Sequence, residues 1–112
     1  MFVFRNQANM ADLSPEQMQQ SFQKWMAWIA GMKVKGQYLA GEPLEDRPAK
    51  VLRGPGGKNV TDGPFAEAKE VVGGYMLIAA ASFDEAVAIS RDCPGLERGG
   101  CVEVRQIMPM PM

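Results

Sequence analysis

The chain opens on a two-residue rhythm that soon gives way to a longer one. In MFVFR, Phe2 and Phe4 alternate with Val3 and Arg5, the pattern of a half-buried strand. From Leu13 the spacing lengthens. Met18, Phe22, Trp25, Ile29 and Met32 recur at steps of four and three, which traces one face of an amphipathic helix. The helix start is also legible: Ser14 fits an N-cap, Pro15 the first helical position, Gln17 the far side of a capping box, and Leu13 and Met18 a hydrophobic staple. Lys33, Lys35 and Gly36 mark its end. Trp28 falls on a face adjoining that of Trp25, so the two are not expected to point at the same core, and Trp25 is the one on the buried stripe. Trp28 and Met26 flank that stripe and widen it, meet a partner or line a pocket, with core packing the favoured reading.

Beyond the helix, QYLAG reads as a strand and EPLEDRP as an exposed connection. AKVLR and NVT flank the turn cluster GPGGK and predict a hairpin. VVGGYMLIAA is an almost unbroken apolar run, expected as a central strand, with Gly73 and Gly74 marking a bulge or a close backbone approach. Ser82 and Glu85 predict a second capping box, for a helix that stops by Pro94, and CVEVRQI alternates as a last strand. Two helices on one side of a mainly antiparallel four-stranded sheet make an α+β, ferredoxin-like fold. Neither a repeat nor a linker interrupts residues 1–112, so a single domain is expected.

Composition narrows the function classes. Lys and Arg total 12 against 13 Asp and Glu, a formal charge of -1, which leaves no basic surface for nucleic acid. No apolar run approaches the roughly 20 residues of a membrane span. The N-terminus lacks the pattern of a secretory leader, and a cytoplasmic location is expected. The chain contains no histidine, which removes the commonest general base and the commonest metal ligand together. No metal or cofactor is expected. Cys93 and Cys101 could close a short disulfide loop, although reduced thiols fit a reducing compartment better. The nine methionines suit an adaptable pocket or an interface.

The candidate chemistry gathers at VTDGPFAEAKEVVGGY. Pro64 has no N–H, so the Asp62 carboxylate must look beyond it, to the Phe65 or Ala66 amide or elsewhere. Gly63 frees the backbone, and Pro64 starts a short helical turn. Asp62 reads either as a structural cap or as a group half buried near a dimer cleft, where it binds a ligand or serves as a base. Glu67 and Lys69 read as a surface pair or as ligand-orienting groups, and Arg53 as a strand-end residue or an anchor for an organic acid. The glycines of RGPGGKN lack the context of a phosphate loop and fit a hairpin turn.

That stretch, together with SFDEAVAISRDCPG, GGCVEVRQI and an N-terminal LSPEQM before GQYLAGEPL, resembles the YCII-related proteins of the DGPF type. The resemblance spans nearly the whole chain. It implies a homodimer in which two ferredoxin-like sheets face each other as a dimeric α+β barrel. It also implies enzyme-like members related to muconolactone isomerases and dehalogenases, with a His–Asp pair at a cleft, and others that accompany sigma factors. The aspartate of that pair falls on Asp62, with Gly63, Pro64 and Phe65 completing the signature. The histidine has no counterpart here. The expectation is therefore a protein that takes a small polar or aromatic acid near Asp62, with an isomerase-, dehalogenase- or lyase-type activity open. The alternative is a non-catalytic accessory in sigma-factor-linked regulation.

Overall fold

A computed structural model describes residues 1–7, 13–45, 47–63 and 70–110, with the side chains of Gln7 and Glu70 outside that description. Six strands and two helices follow one another as β1 (Phe2–Gln7), α1 (Pro15–Val34), β2 (Tyr38–Pro43), β3 (Ala49–Arg53), β4 (Asn59–Gly63), β5 (Glu70–Ile78), α2 (Phe83–Ser90) and β6 (Cys101–Val104). Short 3-10 turns at Pro55–Gly57 and Pro94–Arg98 complete the path. The main sheet runs β2-β5-β1-β6 with every neighbour antiparallel, which is the ferredoxin-like order, and β3 with β4 forms a separate hairpin. The apolar VVGGYMLI run is thus a central strand, paired on both edges as its composition predicts.

Strand alternation sends Phe2, Phe4 and Met76 to one face of the sheet, where both helices lie. Phe2, Phe4, Met32, Met76 and Cys93 form the buried core, with Ile29, Ala86, Ile89, Val102 and Val104 packed around it. Contrary to the expectation that adjoining helix faces keep them apart, Trp25 and Trp28, both partly buried, pack against this same core. Trp28 lies parallel to Phe2, while Trp25 meets Phe4 edge-on with centroids 5.0 Å apart. Residues three apart on a helix are surface neighbours, so two adjoining indoles can straddle one pair of rings.

The start of α1 follows its sequence closely. The Ser14 hydroxyl accepts from the Gln17 N–H, and the Gln17 side chain accepts from the Ser14 N–H. In α2 the Ser82 hydroxyl accepts from the Glu85 N–H as expected, but the Glu85 carboxylate takes the Ala81 N–H, one residue before the cap. Cys93 and Cys101 are both thiols.

The stripe on α1 is not buried along its whole length. Met18 and Phe22 remain 59% and 64% exposed, whereas Met32 is buried. Twenty helical residues reach about 30 Å, but the six of β1 span only about 20 Å, so the first turns of α1 outrun the sheet they pack on.

Candidate functional site

A cavity of about 520 Å³ opens where α1 overhangs β1, β2 and β5. Its apolar walls come from Phe4, Met18, Phe22, Trp25, Ile29 and Met76. The strands shape its floor by what they omit. Gly41 and Gly74 line it, and a Cβ at Gly74 would stand 2.9 Å from the Glu42 carbonyl oxygen. Larger residues there would push β2 and β5 apart.

One side of the cavity is closed by the Pro94–Arg98 turn, from which Gly95 and Arg98 face it. A Cβ on Gly95 would meet the Trp25 ring at 3.4 Å, so the turn sits close on the indole. Lys24 on α1 donates to Glu97 at 2.9 Å and ties the turn to the helix. This hydrogen bond, with the charge of Lys24 behind it, holds the Glu97 carboxyl below its ordinary pKa.

Among the described residues, the polar groups of the lining are few. Tyr38 donates its hydroxyl proton to the Gly41 carbonyl at 3.4 Å. Glu42 and Tyr75 border the cavity along their strands, and the Tyr75 hydroxyl donates to Glu42 at 3.3 Å. Since Tyr75 alternates with the inward Met76, this pair belongs to the opposite face of the sheet. The Glu42 carboxylate is the main reason that the Tyr75 phenol is raised above its usual pKa. Asn6 and Arg98 supply the remaining polar lining together with Ser21.

The residues expected from the sequence lie elsewhere. Asp62 is on β4, cross-strand from Lys50, with which it forms an ion pair. Within the single chain its side chain is 78% exposed and does not line the cavity. Arg53 closes the same hairpin opposite Asn59, also away from the cavity. Gly63 is buried against Ala49 and Val51, whose side chains would stand 3.3 Å from a Cβ there. Pro64, Phe65, Glu67 and Lys69 lie outside the described residues. Among the described residues, no group of three His, Cys, Asp or Glu is placed to hold a metal ion, and no helix is long and apolar enough to cross a membrane.

Sequence reasoning passed over Asn6 and Arg98. The signal for Asn6 was present: Phe2, Phe4 and Asn6 share one strand face, so an amide follows two aromatics into the apolar layer. Arg98 carried no such signal, because its place depends on a 3-10 turn folding back onto α1.

No curated protein matches the chain significantly. The profile of the YCII-related domain does match, over residues 1–111. With an antiparallel βαββαβ core and that match along essentially its whole length, the chain belongs to the YCII-related domain family.

Proposed function

We propose that this protein binds a small molecule with an aromatic or apolar body and an acidic end, in the cavity between α1 and the sheet. The observation that carries this reading is the cavity itself: about 520 Å³, walled by aromatic and thioether side chains, with Arg98 the one cationic side chain among the described residues that line it. A mostly apolar hollow with a few convergent polar groups is the usual form of a small-molecule site. Binding comes before catalysis in this reading. Asp62, the carboxylate expected to move protons, is exposed, ion-paired and outside the hollow, and this geometry lends an acid–base role no support.

Thermal unfolding with a panel of aromatic monocarboxylates tests the reading. A ligand present at 100 times its Kd stabilises the native state by about 2.7 kcal/mol. A clear rise in the unfolding midpoint with at least one such acid is expected, and an unmoved midpoint across the panel would refute the site.

The reading includes a homodimer. Val3, Arg5, Tyr75, Leu77 and Glu103 share the sheet face opposite the helices, and their partial exposure leaves an apolar surface threaded with ion pairs for a second sheet to cover. Light scattering at micromolar concentration should give twice the chain mass. A second functional reading, a protein-interaction accessory, has the hairpin in its favour, because Leu52 and Val60 face each other across it and are 60% and 54% exposed. A stable complex with a sigma factor, without response to any acid, would favour that reading.

A further inference from the structure

The polar end of the cavity is more closely built than its walls. Strand β1 pairs Phe4 with Gly74 but Arg5 with Val72, so Gly73 is the extra residue of a β-bulge. A Cβ at Gly73 would fall 2.3 Å from Nδ2 of Asn6, which means that the Asn6 amide occupies the space a side chain would take. On its other side a Cβ at Gly100 would stand 3.5 Å from the Asn6 Oδ1. The amide is therefore lodged between two glycines, one from the bulge and one from the end of the Pro94–Arg98 turn region.

Gly100 joins that turn to β1. Its N–H donates to the Gly95 carbonyl at 3.1 Å, and a Cβ there would be 3.0 Å from the Arg5 carbonyl oxygen. Arg98 lies between Gly95 and Gly100 and faces the same hollow as Asn6. Glu97 is engaged chiefly by Lys24 and feels the charge of Arg98 to a lesser degree, and Arg98 forms no salt bridge among the described residues. Nor does the Asn6 amide make a side-chain hydrogen bond to another described residue. Glu42, the acid bordering the cavity, is turned to Tyr75 on the far face of the sheet. Among the described residues, an amide with two N–H donors and a guanidinium with five thus line one apolar hollow, neither of them held by a side-chain hydrogen bond or a salt bridge.

We infer that Asn6 and Arg98 together form the acid-binding end of the cavity, taking a carboxylate between the amide N–H and the guanidinium fork, and that the bulge at Gly73 is what makes room for Asn6. The inference rests on the small-acid reading above and names the two groups that recognise the acid. Arg98 is the charge partner, Asn6 the orienting donor and Gly73 a positioning residue. Charge-assisted bonds of this kind are about twice as strong as neutral ones, so the site should prefer an acid over an alcohol of the same shape.

Isothermal titration of the full chain with 3-phenylpropionate and with 3-phenyl-1-propanol separates the two levels of the claim, because the compounds share a body and differ in the head group. The parent should bind the acid roughly tenfold or more tightly than the alcohol, as one lost hydrogen bond to a charged group implies. Arg98→Met and the isosteric Asn6→Asp should each weaken the acid by roughly tenfold or more and leave the alcohol within about twofold. Gly73→Ala should also lose preference for the acid while still folding, because its Cβ meets the end of a side chain and not backbone. If both compounds bind the parent equally and the variants move neither, the head-group assignment falls and the cavity stands. Equal weakening of both compounds would show that the two residues only hold the cavity, which also overturns the assignment. If neither compound binds the parent, both the assignment and the small-acid reading fail.

Discussion

The Trp28 indole lies over the ring of Phe2 with centroids 6.1 Å apart and planes within 5° of each other. Phe2 is completely buried, and Phe4 meets both rings edge-on. Removing a buried aromatic costs about 3–5 kcal/mol. Phe2→Ala should therefore take away a large share of the stability of a domain this size. Phe22→Ser, on the overhanging part of the same helix, should stay within about 0.5 kcal/mol. Urea unfolding at one protomer concentration distinguishes the two through the midpoint, with the slope unchanged.

Asp62 was the leading candidate from sequence, and its exposed pairing with Lys50 gives a different expectation. Exposed pairs contribute about 0.2–1 kcal/mol. A double-mutant cycle of Asp62→Asn and Lys50→Met should return a coupling in that range, reduced at high salt. A coupling above about 2 kcal/mol would mean that the hairpin is covered in solution and that the pair is shielded from water.

Glycine positions give a paired test. Gly74→Ala places a methyl against the Glu42 carbonyl and within 3.2 Å of the Pro43 Cα, both on the neighbouring backbone, and should cost about 1–3 kcal/mol. Gly31 lies inside α1 with nothing within 4 Å of a new Cβ, so Gly31→Ala should stabilise by about 0.5–1 kcal/mol. Thermal midpoints moving in opposite directions would bear out both placements.

Burial raises the Cys93 thiol above its ordinary pKa, despite opposing hydrogen bonds from the Gly95 and Leu96 amides. The folded chain thus holds the proton more tightly than the unfolded chain does. This contribution to stability is complete below the unfolded thiol pKa and is lost as pH rises through the higher folded value. Unfolding midpoints of the parent should fall faster than those of Cys93→Ala between pH 8 and pH 10. Iodoacetamide should label Cys93 of the native chain far more slowly than that of the unfolded chain.

Much of the fold was legible because local signals and burial agree along most of the chain. Ser14, Pro15 and Gln17 start α1 where the sequence puts it, and GPGGK turns the hairpin. Gly73 and Gly74 prove to be a bulge and a close approach, both of the readings open to them. What the sequence concealed depends on contacts distant in the chain. Trp28 packs against the core because Phe2 waits beneath it, and Arg98 faces the hollow because Lys24 draws its turn to α1. The candidate site was drawn to Asp62 by a conspicuous motif. The inward amide at Asn6 gave a quieter signal, which gains meaning only once the bulge opposite it is known.

The mismatch in length between α1 and the strands beneath it separates two demands that usually compete. Met18, Phe22 and Met26 shape the mouth of the hollow yet contribute little to the buried core, which gathers around Phe2 and Met32. Substitutions at the mouth can then accumulate at small cost to folding, within the narrow stability margin that constrains most proteins. A lineage built on this plan can reshape the hollow through its overhanging residues while the buried core of the domain is inherited unchanged.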